Sequence, residues 1–283
     1  MPELPEVETV RRGLNQATLK QEITGGDVLL SRTVAYPLSI EEFITGVKGT
    51  AIAQWYRRGK YLLAELSKTP TLQPAGWLGV HLRMTGQLLW LHPGDPLQKH
   101  TRVRLFFAGE DELRFVDQRT FGQMWWVPPE VAPESVITGL GRLGVDPFSP
   151  EFTTEYLAEK LRNRRRSIKT ALLDQAIIAG IGNIYADEAL FLSGVRPETL
   201  CTDLQQEQIE RLRTAIIQVL EASISAGGTT FSSFLNVQGI NGNYGRVAWV
   251  YSRTGEPCRV CGTAIQRLKL AGRSAHFCPQ CQQ

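Results

Sequence analysis

The chain has 283 residues, 42% hydrophobic and 21% charged, with 31 Lys and Arg against 28 Asp and Glu and a formal net charge of +3. That length allows two domains with sizeable cores, and a balanced composition without low-complexity tracts excludes a disordered or fibrous chain. No apolar run approaches the ~20 residues that span a bilayer, and the acidic start MPELPEVE lacks the basic and apolar parts of a secretory signal, so a soluble, intracellular protein with no membrane partner is expected.

Pro2 and three glutamates (Glu3, Glu6, Glu8) open the chain. They suit a helix start, where Pro loses no hydrogen bond and acidic side chains favour the positive end of the dipole. They also permit another reading: with Met1 removed, Pro2 carries a free secondary amine beside the Glu3 carboxyl. Leu4, Val7, Val10 and Leu14 are spaced as one stripe of a helix over 4–17. Short β-branched or aromatic stretches follow at 50–56, 60–66, 77–83, 86–91, 102–108, 112–116 and 122–127, bounded by Gly, Pro or polar turns. So many short strands predict a sandwich or barrel.

The Pro-rich segment 127–136 and LGVDPFSPEF at 143–152 read as breaks. Beyond them the pattern turns helical at 152–163, 168–178 and 205–228; in the last, Ile209, Leu212, Ile216, Leu220 and Ile224 form a stripe that Gly227 and Gly228 end. Between these helices the small Gly180–Asn183 turn could bring its amides close to a phosphate at the start of the next helix. A plain helix–helix turn, or a helix-hairpin-helix motif, fits the same string.

Two C-x-x-C pairs close the chain, Cys258/Cys261 and Cys278/Cys281, with sixteen residues between them. This spacing fits a tetrahedral four-cysteine zinc site; two disulfides or four free thiols are the alternatives, and an intracellular setting disfavours disulfides. Four thiolates leave no open coordination position, so one structural ion is expected. The intervening residues read as a hairpin turning near Ala271–Gly272 and carrying Arg267, Lys269 and Arg273. Cys201 reads as a small buried hydrophobe. Basic residues cluster at Arg57, Arg58 and Lys60, at Arg162–Lys169, and in the C-terminal stretch, which predicts a positive face and a polyanionic partner.

PELPEVETV, RRGKYLL, HLRMTG (81–86), DQRTFG (117–122), LGVDP (143–147), SIKTALLD (167–174), GIGNIYADEALF (180–191), GGTTF (227–231) and GEPCRVCG with its second C-x-x-C occur in order along nearly the whole chain. Together they resemble the formamidopyrimidine-DNA glycosylases, bacterial enzymes that excise oxidised purines. The resemblance implies an α+β multidomain fold: an N-terminal β-sandwich with a leading helix (1–130), a linker (131–150), a helix-two-turns-helix domain (151–245) and a four-cysteine zinc finger (246–283). It implies a bifunctional glycosylase and AP lyase acting on 8-oxoguanine and formamidopyrimidines in duplex DNA during base excision repair. A bacterial, cytoplasmic monomer working at the nucleoid is the corresponding expectation.

In that family the processed Pro2 would be the nucleophile. An N-terminal amine titrates near ~7.7–8.0 against ~10.4 for lysine, so much of it is neutral at cellular pH, and attack on C1′ would form an iminium followed by β- and δ-elimination. Glu3 matches the general acid, Lys60 the lysine assigned to β-elimination, and Arg273 the arginine assigned to phosphate binding and δ-elimination. Lys169 and Asn183 match DNA-backbone contacts, Arg164 lies where another is expected, and His81 and His100 correspond to strand histidines near the DNA. Met84, Arg119 and Phe121 resemble the triad that fills the gap left by a flipped nucleotide, and they favour the purine-specific branch over an endonuclease VIII-like enzyme for oxidised pyrimidines.

Arg83 stands where glycine is common, and Gln118 and Thr120 where Pro and a basic residue are frequent. The Gly- and Asn-rich segment 229–246 is expected to close over the flipped base. A non-catalytic zinc-dependent DNA-binding protein shares the basic clusters and the cysteines; only Pro2, Glu3 and Lys60 separate it from the enzyme, and a retained Met1 would leave the Pro2 nitrogen an unreactive amide.

Overall fold

In a computed structural model, which describes residues 1–92, 94–229 and 234–283, the leading helix α1 runs Leu4–Thr18 and buries the predicted stripe Leu4, Val7, Val10 and Leu14. Behind it come β1 (Glu22–Val28), β2 (Val34–Tyr36), α2 (Ile40–Val47), β3 (Thr50–Arg58), β4 (Tyr61–Lys68), β5 (Pro74–His81), β6 (Gly86–Leu91), β7 (Thr101–Phe107), β8 (Glu112–Asp117), β9 (Gln123–Val127) and α3 (Pro133–Val136). The strands join in one nine-stranded sheet, ordered β2-β9-β5-β4-β3-β1-β7-β8-β6.

All seven expected strands form; β1, β2 and α2 are additional. Strand β1 escapes a reading by alternation because Gly25 and Gly26 occupy its middle. Gly26 is what its position needs: a Cβ there would lie 2.5 Å from the Arg104 carbonyl oxygen. β1 pairs with β3 through Glu22 and Ile23 and with β7 from Ile23 to Val28, the β7 pairing shifting register between Ile23 and Gly25. Such an irregularity bends a strand, and the sheet halves on either side of β1 share one core. Trp55, Leu62, Leu78 and Val80 from one half join Val103, Leu105, Leu113 and Phe115 from the other, which makes the sheet a sandwich.

The chain divides into two compact units, Met1–Gly141 with Gly227–Asn243, and Arg142–Ala226 with Tyr244–Gln283. These edges differ from the expected ones. Residues beyond 130 stay with the sandwich: the Ile137 side chain lies over Gly79 of β5, and Gly139 lies against the Tyr61 hydroxyl of β4. The segment Gly227–Asn243 also belongs to the first unit, although it follows the helices in sequence. Phe234 and Val237 enter the sandwich core, and the Val237 carbonyl accepts the Trp90 N–H at 3.0 Å. Residues 230–233 of this segment, and with them part of the GGTTF string, lie outside the described residues.

The second unit contains α4 (Thr154–Leu161), α5 (Ile168–Leu172), α6 (Asn183–Ser193), α7 (Gln206–Ser225) and the hairpin β10 (Gln266–Leu270) with β11 (Arg273–Phe277). The helix expected over 168–178 stops at Leu172, where Asp174 accepts the Ala176 N–H and turns the chain. Helix α6 is buried on nearly every side, with Tyr185 bonded to Ser223 of α7 at 2.6 Å. The cysteine hairpin packs with these helices as part of the same unit. Among the described residues no helix is long and apolar enough to cross a membrane.

Candidate active site

Glu3 caps α1 and is 2% exposed; Pro2 beside it is also buried. Glu6, three residues on, closes a capping box by accepting the Glu3 N–H on Oε2 at 2.8 Å. Its other oxygen, Oε1, accepts the Thr229 N–H at 2.8 Å. One buried carboxylate thus ties the chain start to the Gly-rich segment. Gly228, at φ +80°, leaves room for it, since a Cβ there would press on Glu6 at 3.2 Å. Pro2 and the glutamates announce a helix start in the sequence, but the Glu6 partner 223 residues away is not announced there.

Met1 lines a cavity of about 480 Å³ together with Arg32, Arg83, Met84 and Phe121. Phe121 is 53% exposed, which rules out a core role. The Arg119 guanidinium sits 5.0 Å from the Phe121 ring centroid, a cation–π contact. Asp117, 1% exposed, organises both loops. Its carboxylate accepts the Thr85 hydroxyl, the Arg119 N–H at 3.2 Å and the Gly122 N–H at 2.7 Å. Asp117 opens the turn of DQRTFG, where an Asp side chain characteristically accepts such bonds. Arg83 and Thr120 both have left-handed backbones, φ +53° and +58°, so glycine would be the unstrained residue at either place.

Lys60 occupies the second position of the two-residue β3–β4 turn, behind Gly59 at φ +55°. It is 7% exposed, not a solvent-facing edge residue. His81, at the end of β5, packs edge-on against Tyr61 at 4.5 Å and accepts the Arg83 N–H on Nδ1 at 3.0 Å. Burial, reinforced by the charges of Arg83 and Lys60, pushes its pKa down to about 3. The ring is therefore neutral at physiological pH and carries its proton on Nε2. His100 lies in the turn before β7 instead of in a strand, with Nδ1 3.1 Å from an Arg102 nitrogen. Arg57 meets Glu8 at 3.3 Å, so part of that basic cluster is internally compensated.

In the second unit Asn183 is the first residue of α6, behind the Gly182 cap. Its Oδ1 is buried and finds no partner among the described residues, at a helix end whose free amides favour anions. Arg164 is half-buried, its Nε donating to the Lys160 carbonyl at 2.6 Å. Arg273 is exposed at the start of β11. Lys169, matched in sequence to a DNA-backbone contact, is buried. Its side chain is 1% exposed and its ammonium is bonded to Asp187 and to the Ser274 carbonyl.

The sulfurs of Cys258, Cys261, Cys278 and Cys281 lie within 4.8 Å of one another. Four thiolates at ~2.3 Å from one zinc would be spaced by about 3.8 Å; the Cys258–Cys281 and Cys261–Cys278 distances are 3.8 and 3.4 Å. Backbone N–H groups of Val260 and Cys281 point at Cys258 and Cys278 sulfur, and hydrogen bonds from Thr263 hold the Cys261 thiol down to about 6. The set fits one structural zinc ion. A larger cavity of about 880 Å³ beside α2, lined by Trp126 and Pro128 among others, contains none of the expected site residues.

Residues 1–124 match the formamidopyrimidine-DNA glycosylase N-terminal domain, 143–234 the H2TH domain of the same enzymes, and 255–283 the zinc finger found in FPG and IleRS. A formamidopyrimidine-DNA glycosylase from a Nostoc species is 74% identical over 282 residues, covering all of both chains. Among solved structures, a Lactococcus lactis FPG mutant in complex with Fapy-dG-containing DNA aligns at TM-score 0.89 with 35% identity, covering all of both chains. The L. lactis Fpg complex with abasic-site DNA aligns at 0.88 with 35% identity over 99% of each.

Proposed function

The chain belongs to the formamidopyrimidine-DNA glycosylase family, and on that premise we propose that it is a bifunctional glycosylase and AP lyase excising oxidised purines from duplex DNA, working as a monomer in the bacterial cytoplasm. The observation that carries this reading is the cavity shared by Met1, Met84 and Phe121. Met1 directly precedes Pro2 in the chain, so this cavity supports a reading in which the amine freed at Pro2 works near the side chains suited to occupy a vacated base stack.

Once Met1 is removed, the neutral Pro2 nitrogen attacks C1′ of the flipped nucleotide and the glycosidic bond breaks, its electron pair leaving with the base, which takes up a proton. Glu3, held at the helix cap, protonates the ring oxygen as the C1′–O4′ bond opens and the iminium forms. The iminium acidifies C2′: loss of that proton expels the 3′-phosphate, and loss of the C4′ proton then expels the 5′-phosphate. Lys60, in its buried turn, serves the first elimination and Arg273 the second. Asn183 at the α6 N-terminus, Arg164, His81 through its Nε2–H, and His100 contact the backbone. Met84 and Phe121 fill the stack, while Arg119, aligned over Phe121, addresses the orphaned base. Cys258, Cys261, Cys278 and Cys281 would hold one zinc ion, which would stiffen the Arg273 hairpin.

Borohydride trapping on a duplex with 8-oxoguanine opposite cytosine tests this reading. The processed enzyme is expected to yield a covalent adduct that Pro2→Gly loses by tenfold or more. Tight, salt-sensitive DNA binding with no adduct, in protein shown by mass spectrometry to lack Met1, would sink the mechanism. A panel including oxidised pyrimidines decides between the two branches.

A further inference from the structure

We propose that Lys169 is a positioning residue of the second elimination: paired with Asp187, its ammonium holds the Ser274 carbonyl and thereby sets where the neighbouring Arg273 is presented. The proposal rests on the role given above to Arg273.

Asp187 on α6 is fully buried and divides its two oxygens. Oδ1 accepts the Lys169 ammonium from α5; Oδ2 accepts the His276 N–H at 2.9 Å and meets the His276 ring Nδ1 at 2.9 Å. The same ammonium donates to the Ser274 carbonyl. Strand β11 is thus gripped on both sides of Ala275, once by a carbonyl and once by an amide. The first grip is one residue from Arg273.

The hairpin transmits this grip stiffly. Leu270 pairs with Arg273, so Ala271 and Gly272 form a two-residue turn, and both have positive φ, +45° and +80°. That is the hairpin turn whose twist matches its strands. Arg273 therefore leaves a strand end fixed from below while its own side chain stays exposed.

A buried ion pair adds little net stability over an apolar pair of the same volume; what it can provide is one defined arrangement in place of several. Direct phosphate contact is the competing use of Lys169. It would require the ammonium to leave a fully buried carboxylate, and nothing else within the described contacts of Asp187 carries a fixed positive charge.

The test compares the processed wild-type enzyme with Lys169→Met/Asp187→Leu, which removes both charges of the pair together, so that neither is left buried alone, and releases the Ser274 carbonyl and the His276 N–H. Each protein is first shown to hold one zinc per chain. Single-turnover cleavage of abasic-site duplex then separates the β product from the β,δ product. The expected result is a fall of at least tenfold in the δ-to-β ratio, with less than a further twofold fall when Arg273→Ala is added. A global loss of fold or of DNA binding would depress both steps and leave the ratio unmoved. An unchanged ratio in the zinc-loaded double variant, or losses that multiply independently with Arg273→Ala, would overturn the proposal while leaving Arg273 in its role. If Arg273→Ala alone leaves the ratio intact, the role of Arg273 falls and the proposal falls with it.

Discussion

At the scale of single residues, burial decides which charges are available. His81 is a basic group whose pKa lies at about 3 in the folded chain because of its burial and the nearby Arg83 and Lys60, against ~6.5 when unfolded. Below pH 6.5 the unfolded chain takes up a proton that the folded chain refuses, so stability falls with pH through this window at up to ~1.4 kcal/mol per unit. Urea denaturation at pH 7 and pH 5.5 should therefore show a drop of about 1 kcal/mol from this residue, and His81→Asn should flatten it. An identical slope in the variant would mean the ring is not held neutral. Residue identity was largely legible here: cysteine spacing, the Pro2–Glu3 start and the basic clusters could be read directly. What could not be read was compensation. Nothing near Lys169 in sequence announces Asp187, and nothing near Glu6 announces Thr229, because both bonds join segments that only the fold brings together.

At the scale of elements, patterns with a clean period were visible and those interrupted for packing reasons were not. The stripe of α1 and the alternation of β7 survive intact because each has one buried face. Strand β1 hides behind two glycines, of which close approach to β7 requires Gly26. The zinc hairpin is the opposite case, legible from four residues and unable to stand without them. Its strands have five residues each, and its core is little more than Phe191, Val250, Ile265 and two cysteines. A two-stranded hairpin of this size is at best marginal in water. Chelation should therefore lower the melting temperature by several degrees and weaken DNA binding by tenfold or more in a gel-shift assay, both restored by added zinc. Undiminished binding by the metal-free protein would exclude the hairpin from the DNA interface.

At the scale of the whole molecule, the first unit is assembled from two stretches of chain, Met1–Gly141 and Gly227–Asn243. Glu6 is a side-chain polar link between them, and its geometry makes a sharp prediction. Both of the partners described for its side chain are N–H donors; a glutamine has one oxygen and must turn its NH₂ toward one of these donors. Glu6→Gln should destabilise the protein by about 1–3 kcal/mol, the cost of leaving a buried donor unsatisfied, measured as a shift in urea midpoint at unchanged slope.

This discontinuity also bears on how the molecule is made. The slot that Val237 fills against Gly13 stays open until synthesis has passed residue 243, 102 residues after the first stretch ends at 141. At ~5–20 residues per second that delay is roughly 5–20 s. For that interval a nascent sandwich waits on the ribosome with part of its core exposed to water, and a fragment cut at residue 141 would stay in that state permanently.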